Sequence, residues 1–183
     1  MRKSDIKRHL QDYSIFNKRK TTVTHAFASA LSIADTYDEV KIDNALRILG
    51  QDPDGELTCA YCDKLAETWD HIKAVVQGGG FSGHGHQINN LIPCCKDCNS
   101  KKGNKDWLTF LKQKNFDTPD RIDRIQKYIS QDTSDLIELL NKHCKDDLAE
   151  LDKIKRQVFD LLKSGDEKAK AIRDKIKLLT KEE

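Results

Sequence analysis

The sequence predicts an α+β chain, in which a small strand, loop, strand, helix module sits between N-terminal and C-terminal α-helical regions. Three observations predict it. Two CxxC pairs, Cys59-Ala-Tyr-Cys62 and Cys95-Lys-Asp-Cys98, bracket short apolar runs and a glycine-rich stretch. Apolar residues recur with helical periodicity on both sides of that stretch. The turn residues Asp52-Pro53-Asp54-Gly55 punctuate the approach to the first pair. The expected organisation is a helical region with a basic leader over 1–52, the module over 53–117, and a helical arm over 118–183.

Taken in order, Val23, Phe27, Ala30, Leu31 and Ala34 share one helical face, with Thr21 or Thr22 as cap. Ile42, Ala45, Leu46 and Leu49 define a second helix that Gly50 ends. Leu57 to Cys62 reads as a short strand or knuckle, and Thr68 to Val76 as another strand. The run from Gly78 to His86 holds too much glycine for a regular element. Leu91 to Cys94 returns as an extended piece that Pro93 confines to an edge, and Cys95 to Lys102 starts a helix broken at Gly103-Asn104.

Beyond the module, Asp106 caps a helix through Trp107, Phe110 and Leu111. Thr118-Pro119-Asp120 starts the next, carrying Ile122, Ile125, Tyr128 and Ile129. Thr133-Ser134-Asp135 is expected to open a long helix that Ser164-Gly165-Asp166 interrupts before a final one. Leu140, Cys144, Leu151, Ile154, Val158 and Leu161 fall at a and d heptad positions, with Asp147 spoiling one. A hairpin folding back at Gly165 is the preferred arrangement, and a homodimer through the C-terminal helices is the competing one.

A chain of 183 residues holds one substantial core, or a small module with helical flanks. No apolar stretch approaches bilayer length and no apolar run follows the basic start, so a soluble, cytoplasmic protein without membrane partners is expected. The net charge of +2 implies no partner by itself. Its distribution is more telling: residues 1 to 20 are locally basic, and Lys96, Lys101, Lys102 and Lys105 cluster inside the module. In a reducing compartment six cysteines remain thiols, and paired CxxC spacing then argues for metal rather than for disulfides. Four thiolates on one Zn²⁺ make a closed, structural site. Cys59, Cys62, Cys95 and Cys98 are the expected ligands, with Cys94 the competitor of Cys95.

Between the pairs lie Asp70-His71, Asn90 and Asn99. The Asp carboxylate and the Asn carbonyl are hard donors that suit Mg²⁺ or Mn²⁺, and a neutral imidazole beside them suits proton abstraction from water. This stretch, from Cys59 to about Lys105, resembles the HNH, or ββα-metal, nucleases: Asp-His on the first strand, Asn at the start of the second, Asn on the helix. The resemblance implies His71 as general base and Asp70 and Asn99 as ligands of a catalytic Mg or Mn ion, with Ni also compatible. It implies Asn90 as the residue bracing the histidine loop, with Asn89 the alternative if the register slips by one. It places Lys102 at the scissile or a neighbouring phosphate.

His86 in the glycine loop, with Lys96, Lys101 and Lys105, completes the expected nucleic-acid contacts, and His84 is expected in solvent. Trp69 and Trp107 are expected as core anchors, and Cys144 as a small buried hydrophobe. The expected function is a metal-dependent endonuclease acting on double-stranded DNA, with restriction or phage defence the preferred setting. A non-catalytic zinc module that binds nucleic acid or a protein partner is the alternative.

Overall fold

The computed structural model describes residues 2–131 and 136–180. The chain forms two compact units, His25–Cys144 and a second made of Met1–Thr24 with Lys145–Glu183. Among the described residues no helix is long and apolar enough to cross a membrane.

The first helix, α1, spans Ile15–Ser29, starting earlier than the threonines proposed as its cap. The reason lies in Ser14, whose hydroxyl accepts the Asn17 N–H at 3.1 Å and so satisfies a donor of the first turn. Helix α2 spans Glu39–Ile48, with the Asp38 side chain accepting from the Lys41 N–H, and Gly50 follows at φ 74°. Ala45, Leu46 and Leu49 are buried, as their spacing predicts.

The module is built on two antiparallel strands, β1 at Thr68–His71 and, later in the chain, Leu91–Cys94. Asp70 faces Ile92 and His71 faces Leu91 in that register. The predicted strand through Val76 stops at His71. Val76–Gln77 (β2) pairs instead with Gly80–Phe81 (β3), so the glycine stretch does hold a small hairpin. Gly78 and Gly79, at φ 59° and 82°, supply the left-handed pair that a two-residue hairpin turn requires. Leu91–Cys94 is therefore β4, entered through a 3₁₀ turn at Ile88–Asn90. Helix α3 spans Lys96–Lys102, with the Cys95 sulfur accepting the Cys98 N–H at its start.

Residues Leu57 to Cys62 form a knuckle rather than a strand: Cys59 N–H bonds to Lys64 O, and Cys62 and Asp63 N–H both bond to Cys59 O. Ala60 N–H donates to Pro93 O at 3.0 Å, fastening the knuckle to β4. Helix α4, Trp107–Lys114, is capped by Asp106 through the Thr109 N–H, and α5, Pro119–Ile129, follows.

One core closes this unit. It joins Ala45 and Leu49 of α2, Tyr61, Ile72, Ile92, the helix α4 residues Trp107, Phe110 and Leu111, and Ile125, Tyr128 and Ile129 of α5. The Tyr61 and Phe110 rings meet edge to face at 5.4 Å. Burying a side chain the size of Phe110 contributes about 1.5–3 kcal/mol, and such residues from both flanks supply what a four-strand module cannot. Two polar ties add register. Arg121 of α5 pairs with Asp63 of the knuckle, and Tyr128 shares its hydroxyl between the carbonyls of Ile88 and Leu91.

The C-terminal region departs from the expected hairpin. Helix α6 spans Leu136–His143, and α7 runs unbroken from Lys145 to Leu179 through Ser164-Gly165-Asp166. The cap proposed at Thr133-Ser134-Asp135 lies outside the described residues. The break falls at Cys144, which is half-buried. The reason Gly165 does not turn the chain is that its neighbourhood docks α1. Asp166 accepts from Ser14 Oγ (2.8 Å), Ile15 N–H (2.6 Å) and Phe16 N–H (3.0 Å). Phe16 meets Phe159 edge to face at 5.7 Å.

Candidate functional site

The four cysteines of the two CxxC pairs converge. The sulfurs of Cys59, Cys62, Cys95 and Cys98 all lie within 4.8 Å of one another, and Cys62 Sγ is 3.7 Å from Cys95 Sγ. Zn–S bonds of about 2.3 Å in a tetrahedron put sulfurs about 3.8 Å apart, so the set fits a zinc ion in type, number and spacing. The knuckle turn brings the first pair together, and the helix start brings the second, with Cys95 at the cap position.

Cys94 is outside this group. Its sulfur is buried 3.9 Å from Cys59 Sγ and 3.2 Å from Cys95 O. The hydrogen bond between the two thiols draws Cys59 down to about 4 and pushes Cys94 up. The four-sulfur cluster thus leaves Cys94 as a buried free cysteine beside Cys59.

Strand β1 sends alternate side chains to opposite faces. Asp70 turns inward and is 5% exposed, while Trp69 is 46% exposed. Trp69 therefore does not anchor the core, whereas Trp107 does. Asp70 Oδ2 accepts the Tyr61 hydroxyl at 2.7 Å and pairs with Lys102 Nζ at 3.0 Å. Burial, followed by the charge of Asp70, raises the Tyr61 hydroxyl well above the usual range, so Tyr61 stays a donor. The Lys102 side chain has no solvent exposure, and its ammonium also donates to His71 O at 2.7 Å. A lysine expected at a phosphate is thus enclosed behind the strand that carries Asp70 and His71. Its position three residues after Asn99 on α3 puts both residues over β1, and Asn99 Nδ2 lies 3.5 Å from Trp69 O.

His71 is half-buried on the other face. Burial first, and then His86, holds its imidazole below the usual histidine range, against the opposing pull of Asp70. Its Nε2 is 2.9 Å from His86 Nδ1, and the rings meet at 61° with centroids 4.9 Å apart. The sequence spacing of fifteen residues gave no sign of this pairing. A hairpin inside the glycine stretch is the signal that brings the loop back.

Asn90, 3% exposed, joins the backbones beside both histidines. Its Oδ1 accepts the Lys73 N–H (2.9 Å), and its Nδ2 donates to Lys73 O and Gly85 O (both 3.0 Å). Lys96 and Lys101 are exposed and paired with Glu67 (3.1 Å) and Asp97 (2.7 Å), and Lys105 Nζ donates to Lys101 O. His84 sits partly buried near Trp107 rather than free in solvent, lining a cavity with Lys73, Gln77 and Lys105.

Asp70 and Asn99 offer one carboxylate and one amide oxygen. That donor set fits a hard divalent cation in type, and in number for an ion that keeps several waters. The Lys102 ammonium already compensates the carboxylate at Oδ2, which leaves Oδ1 as the Asp70 oxygen for an ion.

Neither curated proteins nor solved structures give a significant match to the chain. A family model does match, over the knuckle, all four strands of the module and α3. Residues 59–105 match the model described as HNH endonuclease, and the same segment carries the four cysteines set to hold a metal ion.

Proposed function

We propose that the protein is a metal-dependent DNA endonuclease with His71 as its general base. The observation that carries this reading is the placement of His71. It lies in the segment matched by the HNH model, half-buried on β1, with Nε2 held 2.9 Å from His86 Nδ1 and its own Nδ1 without a hydrogen-bond partner among the described residues. An imidazole that is neutral near pH 7 can take a proton from water as that water's oxygen bonds to phosphorus. The P–O3′ bond breaks, its electron pair leaves with O3′, and solvent protonates that oxygen. The products are a 5′-phosphate and a 3′-hydroxyl.

Asp70 and Asn99 would hold a divalent ion, Mg or Mn with Ni also compatible, which when bound supplies Lewis-acid stabilisation of charge on the phosphate oxygens. Lys102 fixes Asp70 and the His71 carbonyl from behind. Asn90 fixes the loop on either side of the histidines. Lys96 and Lys101 on α3, and Lys105 just beyond it, supply exposed positive charge for neighbouring phosphates. Zinc on the four cysteines holds the knuckle to the helix and takes no part in the chemistry.

One such site cuts one strand, so cleavage of both strands requires a second copy or two successive nicks. Ile154, Leu161, Ile172 and Ile176 are exposed along α7 and support a homodimer through the C-terminal helices. Restriction or phage defence is the setting we favour. The alternative reading, a zinc module that binds DNA without cutting it, shares the cysteines and the lysines but leaves the pairing of half-buried His71 with His86 without a role. Supercoiled plasmid incubated with the zinc-loaded protein in Mg²⁺, Mn²⁺ or Ni²⁺ separates the two. Nicked product supports the endonuclease, and a retarded but uncut plasmid in all three metals supports the binder.

A further inference from the structure

We propose that His86 is a positioning residue for His71: its Nδ1 accepts the Nε2–H of His71, fixing the tautomer whose lone pair is on Nδ1. This rests on the reading of His71 as the base. Two ring nitrogens 2.9 Å apart share a proton, and each neutral imidazole has one donor and one acceptor nitrogen. Were His86 the donor, His71 Nε2 would be spent as acceptor and its Nδ1 would carry the hydrogen, leaving no lone pair for water. The opposite arrangement leaves Nδ1 basic. When Nδ1 takes the proton, His71 becomes an imidazolium and the bond to His86 becomes charge-assisted. It therefore strengthens as the reaction proceeds, which is the condition for a contact to accelerate a step rather than only to bind.

The surroundings of His86 are built to hold it there. Its N–H donates to Ile33 O (3.0 Å) and its carbonyl accepts the Asp35 N–H (3.1 Å), so Ala34 and His86 pair as a parallel bridge. Gly85 makes this approach: a Cβ there would lie 2.3 Å from Ile33 O. Asp35 Oδ2 then accepts the Ile88 N–H (2.9 Å), and Asn90 holds Gly85 O. A residue serving only as a loop contact for phosphate needs none of these clamps.

The test uses the full, zinc-loaded chain and two variants. His86→Asn puts an amide oxygen near the place of Nδ1 and keeps the acceptor, while His86→Leu removes it. Loss of the outer partner that orients a metal-bound histidine costs roughly 10- to 100-fold in activity, and a comparable factor is expected for a histidine held as a base. His86→Leu should lower the nicking kcat by that factor with KM little changed, and His86→Asn should recover most of it. Long-range ¹H–¹⁵N NMR should find His71 protonated at Nε2 in the wild type and mixed between tautomers in His86→Leu. A wild-type His71 protonated at Nδ1 overturns the proposal, as does a change confined to KM or equal losses in both variants. If His71→Ala still nicks DNA, the base assignment fails instead, and the NMR result stands apart from it.

Discussion

Replacing Lys102 by methionine keeps the length of the side chain and leaves Asp70 buried without its counter-charge. The pair is 3.0 Å apart, with side-chain exposures of 0% and 6%. At an effective dielectric of about 20, charges at that separation attract by roughly 5.5 kcal/mol, and desolvation offsets much of this. Removing one partner of a buried pair costs about 3–5 kcal/mol, because the remaining charge is stranded. The lost bond to His71 O acts in the same direction. Urea unfolding of the zinc-loaded protein should show this loss for Lys102→Met, and most of it should return in the double variant Asp70→Asn/Lys102→Met. A Lys102 that contacted phosphate would behave otherwise. Unchanged stability, within about 0.5 kcal/mol, together with a weaker salt dependence of DNA binding, would refute the buried pairing.

Two further perturbations address the zinc site and the long helix. Cys59→Ser should lose bound zinc and the folded module, whereas Cys94→Ser should keep one zinc per chain, as measured by metal analysis beside circular dichroism; zinc loss in Cys94→Ser would move the ligand set. Gly165→Ala should stabilise the protein by about 0.5–1 kcal/mol, since alanine is the better helix former and the added Cβ meets Ile15 at an ordinary 3.4 Å. Destabilisation of that variant in thermal melts would instead indicate a turn at Gly165.

What the sequence made legible is chemistry that lies in local spacing. The CxxC pairs, the cap at Asp106, and the helical face of Ala45, Leu46 and Leu49 each involve residues within one or two turns. Contacts made across the fold were not legible. Lys102 reads as a surface base because lysine rarely enters a core, and only the inward turn of Asp70 on β1 makes its burial favourable. His86 reads as a loop residue because its partner lies fifteen residues away across a glycine hairpin. Ser164-Gly165-Asp166 has the composition of a turn, yet Asp166 is satisfied by the start of α1, some 150 residues earlier. The expected interruption is therefore absent, and Asp166 serves the start of α1 instead.

The measurement that bears most directly on the account is the rate at which His71→Ala nicks supercoiled plasmid in Mg²⁺, beside the wild type at equal zinc content. General-base catalysis is worth roughly 10²- to 10⁴-fold. The account predicts a loss of that size with the fold and zinc retained, because His71 is only half-buried and is not among the four clustered cysteines. Equal rates for the two proteins would contradict it.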